Sequence, residues 1–333
     1  MRQGLLTAAA SLLLKGGAPA PAPPGAPDQP PAAAVEGMRL LDQGAYLRGI
    51  EKLEAAAAAA AGPFDVAYQM WSQARPMIGA YAPPPRLTPG GSPLSPESEA
   101  KLRRATVEEA VPAIAAAARG TSIVILNEAH HSPRDRAFAL QVAEALRPLG
   151  YDLLAAEAID NYAPTLGKLA RDRFPRRDTG TYLKEPVFAD FMRQALALGF
   201  VPLAYEQTGE QQKRGAPGIP GREQAEAENL AALIKAHPGH KLFIYVGFSH
   251  VTESAIDRDG AKIEWMAARL KKMTGLDPLT IEQTSVAEDS LIRGGREAWA
   301  LVAPRLRRSS VLRADGQPLA LGPYAGAVDL QVV

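Results

Sequence analysis

The sequence predicts an α/β domain, a mainly parallel β-sheet flanked by helices, with an N-terminal helical segment in front of it. Two observations carry that expectation. From Ser98 onward, short apolar runs alternate with helix-like stretches, the pattern of successive βαβ units. The run from Lys241 to Val246 is continuously apolar after its first residue, as expected of a strand covered on both faces.

Arg2 precedes an apolar run from Gly4 to Leu14, and Ala18, Pro19 and Ala20 follow it, so residues 1–20 are expected to be a secretory signal peptide. The protein is then periplasmic or secreted. The run is about half of the roughly 20 residues that cross a bilayer, and no later stretch is longer, so no integral membrane segment is expected. Residues 21–34 are rich in Pro and Ala and read as a disordered linker, with ordered structure from Val35. The spacing of Met38, Leu40, Leu41, Tyr46, Leu47, Ile50 and Leu53 and the alanines of 55–61 predict a helical hairpin. A further helix runs from Phe64 to about Tyr81, and the prolines and Gly90-Gly91 make 82–97 a loop. Residues 35–97 thus form a helical preface, for which the sequence names no protein partner.

The α/β domain occupies 98–333. A helix over 107–118 leads to a strand at 122–126. The helix 134–146, stopped by Pro148 and Gly150, leads to a strand at 151–156. The helix 188–198 ends at Gly199 before the strand 200–205. The pairs 223–236 with 241–246, and 263–273 with 279–283, continue the series. After Ala298 the alternating apolar stretches predict edge strands.

The 37 basic and 36 acidic residues nearly cancel, so no overall field draws nucleic acid, and a small-molecule substrate is the expected partner. With no cysteine, thiolate chemistry is excluded and any metal would need His, Asp or Glu ligands. No phosphate-binding glycine loop, nucleotide fingerprint or serine elbow is present.

Ligands of open parallel sheets bind beyond the carboxyl ends of the strands. Polar residues there are the candidates: Glu128, His130 and His131 after the first strand, Glu157 after the second, Glu206 after the third and His250 after the fourth. These positions hold three of the five histidines; His237 and His240 flank Pro238-Gly239 in a solvated turn. Glu157 ends an apolar strand, where an unpartnered carboxylate is costly, so it requires a partner or a raised pKa. A histidine so partnered is held in one tautomer and can act as a general base on water. Arg134 and Arg136, at the start of the next helix, could hold an anionic group of the substrate. Tyr182 and Lys184-Glu185-Pro186 lie in the long connection where a lid would sit, and Glu223 near the start of its helix suits the positive end of the dipole.

Asn127-Glu128-Ala129-His130-His131, the acid at Glu157 and Gly247-Phe248-Ser249-His250 resemble the superfamily of erythromycin esterases, ChaN-like haem-binding proteins and TraB/Tiki proteins. The resemblance covers roughly residues 107–285. Those families carry Gly-Glu-x-His or Gly-Glu-x-x-His after the first strand, a glutamate after the second and Gly-x-x-His after a later one. Both first spacings are met, through His130 and His131, but Asn127 stands where the glycine is expected. Arg222-Glu223 through Glu228-Asn229 is similar to the helix that precedes the last histidine in the esterases. The resemblance implies three chemistries: lactone opening by a histidine-activated water without a required metal, metal-dependent proteolysis, and haem binding. The leading expectation is a hydrolase of an ester, lactone or amide. In it His131 or His130 is the base, Glu128 and Glu157 orient it, and His250 serves the oxyanion or leaving group. Arg134, Arg136 and Glu206 contact the substrate, and no cofactor is required. The alternatives are a divalent metal held by two histidines and two carboxylates, giving a metal-dependent hydrolase or peptidase, and a non-enzymatic protein for haem or another small ligand.

Overall fold

The computed structural model of the chain describes residues 30–60, 65–81, 89–157, 159–258 and 261–333; the expected signal at 1–20 and the first part of the 21–34 stretch lie outside them. Among the described residues three helices come first, α1 (Ala32–Asp42), α2 (Tyr46–Ala57) and α3 (Val66–Ala74). They close on a core of their own, in which Met38, Leu41, Ile50, Leu53, Met70 and Trp71 meet. Gly37 and Gly49 allow α1 and α2 to touch, since a Cβ at either would lie 2.9 Å from the carbonyl oxygen of the other. Helix α1 starts three residues before Val35, because Ala32, Ala33 and Ala34 favour the helix despite their linker-like composition.

Helix α4 (Pro96–Arg104) begins on the hydroxyl of Ser95, which accepts from the Ser98 N–H, with Glu97 and Glu99 at the positive end of its dipole. The helix expected over 107–118 is divided: β1 (Thr106–Glu109) comes first, and α5 (Ala110–Ala117) follows. There follow β2 (Ile123–Glu128), α6 (Pro133–Leu146), β3 (Tyr151–Ala156), α7 (Ala163–Asp172), α8 (Pro186–Ala197), β4 (Val201–Leu203) and α9 (Gly209–Arg214). Next come α10 (Ile219–Ala236), β5 (Lys241–Gly247), the hairpin β6 (Ile256–Arg258) and β7 (Ala261–Ile263), α11 (Met266–Thr274) and β8 (Leu279–Glu282). The chain ends with α12 (Arg293–Val302), β9 (Ser310–Ala314), β10 (Gln317–Pro318) and β11 (Leu330–Gln331).

The main sheet has six strands in the order β11-β8-β2-β5-β3-β4, all parallel. Side chains alternate between its two faces. Val124, Leu126, Leu154, Ala156 and Phe243 pack against α5, α6 and α8. Ile123, Ile125, Leu153, Leu242 and Ile244 pack against α10 and α11 on the other face. A second, antiparallel sheet pairs β1 and β10 with β9. Of the expected edge strands in the tail, β11 is an edge of the main sheet, whereas β9 is the centre of the small one. Among the described residues no helix is long and apolar enough to cross a membrane.

The order places β2, β5 and β3 side by side at the middle, so their carboxyl ends open onto one space. Glu128 at the end of β2 is the register partner of Gly247 at the end of β5. The backbone N–H of Glu157 donates to the Tyr245 carbonyl at 3.0 Å, extending the β3–β5 ladder by one residue.

Candidate active site at the carboxyl ends of the central strands

Two imidazoles face each other across the carboxylate of Glu157, and each is held from behind by another carboxylate. His130 Nδ1 lies 2.9 Å from Glu128 Oε1, and His250 Nδ1 lies 2.8 Å from Glu223 Oε2. Their Nε2 atoms are 3.8 and 3.9 Å from the same oxygen, Glu157 Oε1. A carboxylate has no proton to donate, so each Nδ1 carries one and each neutral ring is left with an acceptor at Nε2.

His130 is fixed on several sides. Tyr182 stacks on the ring with centroids 4.2 Å apart, and the Phe248 ring meets it edge-on at 5.2 Å. Behind it, Glu128 takes Arg136 Nε on Oε2 at 2.8 Å and the Tyr245 hydroxyl on Oε2 at 2.9 Å. Burial pushes the Glu128 carboxyl up, but Arg136 and His130 outweigh it and hold it below its ordinary value. Gly247 leaves the room these groups occupy: a Cβ there would meet His130 Nε2 at 2.5 Å and Glu157 Oε2 at 2.8 Å. The next residue, Phe248, has φ of 38°, costly for a residue with a side chain. Asn127 holds that turn, its Nδ2 donating to the Phe248 carbonyl at 2.8 Å while its Oδ1 accepts from the Gln283 N–H at 2.8 Å. The amide thus links the ends of β2, β5 and β8, work that a glycine at this position could not do.

The other half of the site is built on α10. Arg222 Nη2 donates to Glu157 Oε1 at 2.9 Å and to Glu206 Oε2 at 3.3 Å, and Nη1 lies 2.9 Å from His250 Nε2. A guanidinium only donates, so Nε2 is the acceptor in that contact. Glu157 also takes the Gly247 N–H on Oε2. Burial alone would raise the Glu157 carboxyl, but His250, His130 and Arg222 bring it down to about 2. Burial wins at Glu206, against Arg222, and raises it; it also carries Glu226 well above the ordinary range. For His250 burial works downward and is outweighed by Glu223 and Glu157, leaving its pKa raised.

The expected residues separate accordingly. Glu128, His130, Glu157, Glu206 and His250 converge. His131 turns away, its Nε2 buried 3.9 Å from Asp289 Oδ2 and without a hydrogen bond, and burial lowers its pKa. Arg134 is half-exposed and lies near Asp135 and Asp289, outside the cluster. Arg136 is 1% exposed, and Glu128, Glu185 and the His130 carbonyl take its N–H groups, so it supports the site from beneath instead of facing a substrate. Tyr182 and Glu185 do not form a lid: one packs on His130, and the other caps α8 and pairs with Arg136. Glu223 is more than a charge at a helix start, since α10 begins four residues earlier at Ile219 and the carboxylate holds His250. Sequence reasoning missed Arg222, Glu226 and Tyr245 as site residues. Arg222, Glu223 and Glu226 fall at i, i+1 and i+4 of one helix, a spacing that could have flagged the first and last as neighbours; Tyr245 sits in an apolar strand with no local signal.

For metal, the expected set of two histidines and two carboxylates is not the one that comes together. Among the described residues, the ligand atoms within 4.8 Å of one another are those of Glu223, Glu226 and His250.

No family model matches the sequence, and no curated protein does. Among solved structures the chain is similar to RRSP, a MARTX toxin effector domain from Vibrio vulnificus CMCP6, at 15% identity and a TM-score of 0.41, over 74% of this chain and 55% of that one. Two further structures described as bacterial protein toxins match at 15 and 14% identity, each with a TM-score of 0.41. The chain spans about half the length of each, 55 or 56%.

Proposed function

We propose that this protein is a hydrolase that opens an ester, lactone or amide bond of a small molecule by general acid–base catalysis. The observation that carries the reading is the pair of carboxylate-backed imidazoles whose Nε2 atoms face one oxygen of Glu157. His130 Nε2 takes a proton from water while the water oxygen attacks the carbonyl carbon, and ionised Glu157 orients that water. The Glu128 carboxylate stabilises the imidazolium that forms. His250 Nε2 takes up a proton from solvent before the substrate binds; when the tetrahedral intermediate collapses, the carbon–oxygen or carbon–nitrogen bond breaks, the leaving atom takes that proton, and His130 returns its own to solvent. Protonation of that nitrogen ends its contact with Arg222 Nη1, freeing a guanidinium N–H for the oxyanion. The likeness of the strand-end motifs to the erythromycin esterases supports the same reaction class, and the expected signal peptide supports a periplasmic or secreted site of action.

A panel of aryl esters, lactones and anilides tests this. His130→Ala and Glu157→Gln are each expected to lower kcat/KM by about 10² to 10⁴, and His131→Ala to leave it within about twofold. Turnover that survives in both of the first two variants, or that is absent from the whole panel, overturns the assignment.

A further inference from the structure

We propose that Glu223, Glu226 and His250 form a site for one divalent transition-metal ion, on the side of the His250 ring opposite Glu157. His250 Nδ1 lies 2.8 Å from Glu223 Oε2 and 3.5 Å from Glu226 Oε2. Glu223 and Glu226 are one turn apart on α10 and share a face; the short turn after β5 supplies the imidazole. The Met266 N–H donates to Glu223 Oε2 at 2.8 Å, and the Trp265 ring meets His250 edge-on at 5.5 Å, so the set is held from α11 as well.

An independent observation concerns acceptors that nothing uses. Glu223 Oε1 and both carboxylate oxygens of Glu226 are buried without a hydrogen bond, and each side chain is 1% exposed. Arg222 Nε approaches Glu226 Oε1 to 2.7 Å, but its N–H is not aligned on that oxygen, and the same guanidinium serves Glu157 and Glu206. Three carboxylates, Glu157, Glu206 and Glu226, therefore share one guanidinium, and Glu223 lies beside them as a fourth. With all four ionised and His250 protonated, two negative charges are left over in a buried space. A divalent ion cancels both and takes up the free lone pairs of Glu223 and Glu226 together. One imidazole with carboxylate oxygens suits zinc, cobalt or manganese. Binding replaces the Nδ1 proton of His250, which leaves to solvent. The site shares His250 and Glu223 with the proposed catalytic pair but uses neither His130 nor Glu157, and metal binding is read without any measurement of turnover.

The test is titration of the full chain, stripped of metal by chelator, with Co²⁺, followed by visible absorption and calorimetry. A cobalt absorption band saturating at one equivalent and displaced by Zn²⁺ is expected. Glu226→Gln should bind at least about tenfold more weakly, and His130→Ala like the parent. Circular dichroism establishes that Glu226→Gln is folded, with Glu223→Gln as the second variant if it is not. No band and no heat, or undiminished binding in the folded Gln variant, overturns the proposal. Binding weakened equally by His130→Ala overturns it too, since the ion would then lie between the two imidazoles.

Discussion

At the scale of single residues, the difference between His130 and His131 is one of direction. Glu128 and His130 are two apart on backbone leaving a strand, so their side chains emerge on the same side and pair at 2.9 Å, while His131 emerges on the other. The strand-end rule identified Glu128, Glu157, Glu206 and His250 from sequence, but the choice between adjacent histidines depended on the path of the turn, which no local pattern states. Gly247 makes the tightest demand. Adding one methyl group there places a carbon 2.3 Å from His130 Cε1 and 2.8 Å from Glu157 Oε2, and neither side chain can retreat, since Tyr182 and Phe248 hold the first and Arg222 the second. Gly247→Ala is therefore expected to lower kcat/KM by at least about 10², the cost of misplacing a catalytic group by an ångström. Its stability loss should be about 1–3 kcal/mol, as for other overpacked interiors. Parallel measurement of turnover and thermal unfolding checks both; full activity in a folded Gly247→Ala protein would refute the packing account.

At the scale of elements, the strands were the most legible part of the chain. Short apolar runs ended by glycine or a polar residue place β2, β3 and β5 within two residues, because burial on both faces leaves no polar position in their middles. Two failures have physical causes. Residues 107–109 read as helix because they adjoin an alanine-rich run, but they pair with β9, about 200 residues away, and local composition carries no trace of such a partner. Helix α4 fell partly in the expected loop although Ser95, Pro96 and two early glutamates spell a helix start. The start of α6 has a further consequence. Asp135 accepts from the Ala129 N–H at 2.9 Å and the Ser132 hydroxyl at 3.0 Å, tying the turn that carries both histidines to the helix. Burial, opposed by Arg134 and aided by Asp289, raises its pKa from 3.8 to about 7. The folded protein then takes up a proton that the unfolded chain has released, so this group's contribution is fullest below about pH 4 and is lost as pH rises through about 7. Between those limits unfolding free energy should fall by up to about 1.4 kcal/mol per pH unit through this residue. Since His250 also titrates with a raised pKa, the quantity to measure is the difference between the parent and Asp135→Asn in denaturant unfolding across pH 4–8. An identical slope in the two proteins would show that Asp135 is ionised throughout.

At the scale of the whole molecule, the helical preface is joined to the site through the chain that connects β3 to α8. Composition shows that residues 35–57 form helices with an apolar face, but not what that unit touches, because the partners are more than 130 residues away. Arg177 Nη1 donates to the Gln43 carbonyl at 3.0 Å, and Lys184 pairs with Asp42, so the α1–α2 turn grips the connection at two points. Lys184 lies between Tyr182, which stacks on His130, and Glu185, which holds Arg136. The preface, with its own core, thus braces the segment that keeps His130 in place. The pairs themselves contribute little to global stability, since Asp42 is half-exposed and ion pairs of this kind are worth about 0–1 kcal/mol. Their effect should be local. In the double variant Arg177→Ala with Lys184→Ala, the unfolding free energy is expected to stay within about 1 kcal/mol of the parent. Amide hydrogen exchange at Tyr182, Leu183 and Glu185 should quicken, with β2 and β5 unchanged. Exchange at those three amides equal to the parent's would mean that the connection holds its shape unaided and that the preface has no part in positioning His130.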